Sequence, residues 1–264
     1  MLLVTFSAAG VPSNGQIRKP FGIEARPALL ALMLEVERGF GHAIIERISD
    51  SSEFAYGSFT IDANGVPTIT LAKDDLTEAN LAHELMHLKL VLQGHPRIDW
   101  RTRDSRFLTM EMAKELAGLL TTIRDAIEHF IFRPSITAMG IAADPEDIEA
   151  VARYVHERHL KEDQQFSILR FFGLTLSVRD SALRHQLLAS YNRDGLKAEA
   201  LTGRNMALQV QRANPKTPKE ATDCLIACLN IYWAGKRSAT LLSWSSERLG
   251  NITRAVAAIG VTFY

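Results

Sequence analysis

Residues 80–90, Asn-Leu-Ala-His-Glu-Leu-Met-His-Leu-Lys-Leu, demand a helix with two different sides. Leu81, Leu85, Leu88 and Leu92 recur at helical intervals and make an apolar stripe for a core. His83 and His87 are one turn apart, roughly 40° from each other around the axis. Their side of the helix carries Ala79, Asn80 and Leu90, so one side packs and the other lines a cleft. Thr77 fits the N-cap, Glu78 suits the positive end of the helix dipole, and Gly94 fits the stop.

Two imidazoles so placed can share one tetrahedral metal ion. Glu84 points about 100° away from His83. It is therefore no equal ligand, but its carboxylate can take a proton from a water beside the ion. The competing reading is an amphipathic helix that happens to carry two histidines. With eight histidines in 264 residues, the coincidence of spacing, helical period and preceding strand favours the metal.

The surrounding pattern predicts an α+β fold, mainly α-helical. Pro27 and the spacing of Leu29, Leu32, Met33 and Val36 predict a helix ending near Gly39 and Gly41. Three β-rich stretches follow at 42–48, 56–62 and 66–72, with Ala63-Asn64-Gly65 as a hairpin turn. They predict a small antiparallel sheet ahead of the histidine helix. A loop with Pro96 and Trp100 then leads to a long helix over 105–132. Beyond Asp144 the periodicity predicts helices near 145–162, 164–173, 177–192, 195–213, 217–235 and 238–258, a helical C-terminal half. The Pro-, Gly- and Ala-rich stretch 134–144 is the weakest seam. It divides a front region, 1–140, from a helical region, 141–264, packed on it.

This combination resembles the zincin metallopeptidases over about residues 26–132: a helix, a few strands, then the helix with His83-Glu84-x-x-His87. The resemblance implies Zn2+ on His83 and His87, Glu84 as general base, and a peptide or protein substrate lying along the last strand, Pro67–Ala72. In the gluzincin type a glutamate on a second helix completes the site. Here Glu128 in the segment 123–132 would be that third ligand, with Asp125 orienting a ligand histidine. His129 is the alternative ligand, or a stabiliser of the oxyanion. Glu111, Glu115 and His95 are further alternatives, and an exposed charged face of a core helix is the non-functional reading of 123–132. Tyr154, with His156 and His159, is a possible donor to the oxyanion or an ordinary amphipathic face. A zinc-binding regulatory protein with little or no turnover is the rival function.

Composition removes other classes. Thirty basic and thirty acidic residues leave no net field for nucleic acid, and the short Lys216–Lys219 cluster belongs to a solvated loop. Cys224 and Cys228 share one helical face as buried free thiols, too few for a disulfide framework. No apolar run is long enough for a membrane span, and no positive charge precedes the short apolar N-terminal stretch, so the expectation is a cytoplasmic protein.

Overall fold

Proline at its first position and a left-handed glycine, Gly41 at φ 72°, just past its last residue delimit the first helix, α1 (Pro27–Phe40). Its buried side is Leu29, Leu32, Met33, Val36 and Phe40. These features belong to a computed structural model that describes residues 18–50, 57–102, 109–142, 151–152, 155–156, 163–178 and 180–263.

Strands β1 (Ile45–Ser49), β2 (Gly57–Ile61) and β3 (Pro67–Ala72) follow α1 where β-branched residues cluster. Their order is β1-β3-β2, with β1 parallel and β2 antiparallel to β3. The sheet is thus mixed, correcting the antiparallel expectation: alternation locates strands but does not fix which edge each one joins. It also corrects the place given to Pro67–Ala72. That strand is central, paired on both sides, and has no edge to offer a peptide. β2 is the edge strand beside the histidine helix.

That helix, α2 (Glu78–Leu92), is capped by Thr77, whose side chain accepts from the Asn80 N–H at 3.1 Å. The expected loop around Trp100 is instead a strand, β4 (Arg97–Thr102). Helix α3 (Met110–Ala138) then runs through Pro134 and past the expected end near 132. Most of 143–162 lies outside the described residues. Helices α4 (Gln164–Ser177), α5 (Ser181–Arg193), α6 (Lys197–Ala213) and α7 (Pro218–Trp233) agree with the predicted segments, except that α4 continues through Gly173. A Thr217–Glu220 capping box starts α7.

The final stretch overturns an expectation. Residues 238–258 are not a helix; they belong to a long hairpin of β5 (Arg237–Leu249) and β6 (Ile252–Phe263). β6 lies between β5 and β4, antiparallel to the first and parallel to the second. Val256 to Ile259 are all buried, so this central strand is apolar on both faces and shows no alternation in sequence. The turn signal was Gly250-Asn251, with glycine first as a two-residue hairpin turn allows. Asn230 of α7 pins the start of the hairpin: its amide accepts from the Ala239 N–H at 2.7 Å and donates to the Ala239 carbonyl at 3.2 Å.

α3 is shared by two cores. Leu116, Leu119, Leu120, Ile123 and Ile127 pack with α4, α6, α7 and the hairpin. Phe132 and Ile136 pack with α1, α2 and the first sheet. Among the described residues no helix is long and apolar enough to cross a membrane.

The two sheets touch through their turns. A Cβ on Gly250 would stand 1.7 Å from the Asn64 carbonyl oxygen, and one on Gly65 would stand 2.5 Å from that of Leu249. Gly250 also has φ +54°, a conformation costly for other residues. Gly250→Ala is expected to cost about 2 kcal/mol or more in urea unfolding. A loss below about 0.5 kcal/mol would mean that the two turns do not meet this closely.

Candidate metal centre

About one turn from each of two helices builds the site. α2 supplies His83 and His87, one turn apart. α3, crossing it where one core gives way to the other, supplies Glu128, His129 and Phe132. His83, His87 and His129 each offer a ring nitrogen, and the three nitrogens lie within 4.8 Å of one another. The Nε2 atoms of His83 and His87 are 3.2 Å apart. Two ligands on one tetrahedral zinc stand roughly 3.3 Å apart, given Zn–N bonds of about 2.05 Å. The imidazole pair therefore has the spacing of two ligands aimed at one ion.

Glu128, expected as the third ligand, stands outside the three-histidine group. Its Oε2 lies 2.8 Å from Nδ1 of His87, which donates to it, so the carboxylate stands behind the imidazole. This contact commits Nε2 of His87 to face His83 and His129. A ligand histidine held through its other nitrogen by a carboxylate is a recurring arrangement in metal sites. Asp125, the expected orienting acid, instead accepts from Arg124 at 3.1 Å. Arg124 Nε lies 3.5 Å from Glu128 Oε1. Phe59 of β2 stacks on the His87 ring at 5.7 Å, and Phe132 meets both His83 and His87 edge-on.

The electrostatics follow from burial. Burial, with the like charges of His87 and Arg133, drives the His83 pKa down to about 3. His129 is lowered well below its ordinary value for the same kinds of reason. Both imidazoles are neutral, the form in which they ligate. Burial is the largest single influence and works against charge on His87 and Glu128, but their hydrogen bond and mutual attraction, together with neighbouring charges, outweigh it, raising His87 and lowering Glu128.

Glu84 is 5% exposed and lies beneath β2. A Cβ on Gly57 would stand 3.0 Å from its Oε1, so glycine is what lets the strand approach the carboxylate. Burial pushes the Glu84 pKa up to about 7; the His87 charge opposes this and Asp125 adds to it. That value suits a group that must both accept and release a proton near neutrality.

The other residues weighed on sequence grounds stand apart. Glu115 bonds Gln165 at 2.6 Å, and Glu111 and Glu115 are exposed, roughly 20 Å or more along α3 from His129 at 1.5 Å per residue. His95 is buried but lines a small cavity behind Glu128 rather than joining the three-histidine group. His156 is exposed, while Tyr154 and His159 lie outside the described residues. Cys224 and Cys228 are buried free thiols in the α7 core and do not join the three-histidine group.

Comparisons with protein families, with curated proteins and with solved structures find no match for this chain.

The raised Glu84 pKa has a measurable consequence in metal-free protein. Between the unperturbed value of 4.5 and the folded value of about 7, the folded chain keeps a proton that the unfolded chain releases. Its stability therefore falls as pH rises through that window. Glu84→Gln does not titrate. With chelator present, the variant is expected to gain roughly 2–3 kcal/mol on wild type between pH 5 and pH 8. Urea unfolding at the two pH values measures this, and a difference independent of pH would place the carboxylate in water.

Proposed function

We propose that the protein is a zinc-dependent hydrolase of peptide bonds, with His83, His87 and His129 as metal ligands and Glu84 as general base. The observation that carries this reading is the convergence of three imidazole nitrogens beside a buried carboxylate. Three imidazole nitrogens suit a borderline-soft dication, which would displace the proton from His87, and leave one tetrahedral position open, as a hydrolytic site requires. Zinc bound there would supply Lewis acidity to a carbonyl oxygen and make water acidic enough to be deprotonated near neutrality.

The chain's own residues divide the remaining work. Glu84 takes the proton from the attacking water and returns it to the leaving amine. Glu128 fixes the His87 ring and its tautomer by accepting from Nδ1. Phe59 and Phe132 close the imidazole cluster against water, which strengthens every charge interaction inside it. The outer edge of β2, next to Glu84, is the natural place for an extended substrate.

A second reading, a zinc-binding protein with little turnover, draws support from the same burial: a base 5% exposed must be reached by substrate. The two readings part on one variant. In the hydrolase reading, Glu84→Gln keeps its zinc and loses hydrolysis of a broad peptide library by a factor of about 100 or more. A wild-type protein that holds zinc and cleaves nothing would favour the regulatory reading.

The roles of the neighbours Glu128 and His129 are separable by metal content. Elemental analysis of wild type is expected to give one zinc per chain. His83→Ala, His87→Ala and His129→Ala should each lose it on dialysis. Glu128→Gln should still bind, about 10–100-fold more weakly. Zinc retained in His129→Ala and lost in Glu128→Gln would reverse the two assignments.

A further inference from the structure

A second concavity lies away from the three-histidine group. It is a cleft of about 340 Å³ between β4 and α3. Four consecutive β4 residues, Ile98 to Arg101, line it, together with one face of α3 that includes Thr121 and Arg124. Successive residues of a strand point to opposite faces. A cavity touched by all four must therefore run along the strand's edge. β4 has β6 on one side and, among the described residues, no strand on the other. Its free edge presents a row of backbone donors and acceptors over roughly 13 Å, bordered by a helix instead of by another strand.

The charges around this edge are unequal. Arg101 and Arg124 both line the cleft. The one acid lining it, Asp99, is held by Arg97 at 3.0 Å. Arg124 is partly neutralised by Asp125 and Glu128, whereas Arg101 is exposed and forms no ion pair among the described residues. Ile98 and Trp100 turn inward and pack on the core around α3 and α7, giving the cleft an apolar floor.

We infer that this cleft binds an extended peptide bearing a carboxylate side chain, which adds as a fourth strand to the edge of β4 and places its acid on Arg101 and Arg124. Backbone hydrogen bonds along the edge supply affinity, and the arginine pair supplies the preference for an acidic residue. The site is separate from the metal centre and does not depend on the proposed hydrolysis. Arg124 is nevertheless common to both regions, since it lies one helical turn before Glu128 and contacts it.

The test uses full-length, zinc-loaded Glu84→Gln protein, so that no probe is consumed. The probes are fluorescein-labelled hexapeptide amides alternating valine, isoleucine or threonine with other residues and carrying one glutamate. Fluorescence anisotropy is expected to show binding that weakens at least about tenfold when the glutamate becomes glutamine. N-methylation of alternate backbone nitrogens on the edge-facing side should abolish it. Arg101→Glu should weaken binding at least about tenfold at unchanged zinc content, and a lysine in place of the probe's glutamate should restore it. Probes that never bind, that bind equally after N-methylation, or that ignore Arg101→Glu would each overturn the proposal. Because zinc content and peptide cleavage are measured separately, failure here leaves the hydrolase reading standing or falling on its own test.

Discussion

The contact between His87 and Glu128 is the interaction on which the rest of the centre depends. A carboxylate buried without a partner would cost several kcal/mol, and breaking a buried charged pair typically costs about 3–5 kcal/mol. Glu128 is 8% exposed and His87 6% exposed, so each needs the other. Their bond joins α2 to α3 at one point and sets how α3 is rotated about its own axis. With Glu128 turned onto Nδ1 of His87, the next residue, His129, is carried toward His83, and their rings meet edge-on at 4.4 Å. One hydrogen bond thereby settles which of two neighbouring side chains faces the shared point of the imidazoles.

The position of that bond along α3 follows from packing. Residues up to Ile127 belong to the core formed with α4, α6, α7 and the hairpin, and residues from Phe132 to the core formed with α1, α2 and the first sheet. Glu128 and His129 fall between them, where the helix passes from one apolar environment to the other. Polar groups are cheapest at such a seam, because neither core must be interrupted to admit them. The hairpin closes the arrangement from outside. Its strand β6 pairs with β4, and Ile252 at its start reaches the core around α2. The metal centre is thus braced by a strand that lies some 120 residues later in sequence than His129, a non-local pairing that a chain forms slowly.

What the sequence disclosed, and what it withheld, divides along this line between local and non-local causes. His83, Glu84 and His87 were legible because helical geometry alone places them, and the Thr77 cap was legible because its partner is three residues away. Glu128 and His129 were visible as a pair, but their roles were not. They are about 100° apart on one helix, and the choice between them rests on a contact with a residue 41 positions earlier. The strand β3 was recognised, but its central place was not, since pairing order leaves no mark on alternation. β6 was misread because a strand buried on both faces shows a continuous apolar run, and length and composition favoured a helix. Gly250-Asn251 was the local sign against it.

The charges around the three-histidine group are tightly coupled. Three carboxylates, Glu84, Asp125 and Glu128, act on one another or on His87 within this buried region, while Arg124 acts on Asp125 and Glu128 and Arg133 acts on His83 and His129. With His83 and His129 neutral, these three acids face the two arginines and the charge on His87. Burial is the largest cause of the raised pKa values of Glu84 and Asp125, and neighbouring carboxylates add to it, Asp125 acting on Glu84 and Glu128 on Asp125. Protonating an acid is one way to relieve such a cluster; placing a dication on the adjacent imidazole nitrogens is another, and it leaves Glu84 ionised. A dication held there would need neutral histidines and would also lower the cost of a charged Glu84. A polar cluster this deep is tolerable only if its charges compensate one another, and among the described residues the three histidine nitrogens are a group in it that could hold a cation.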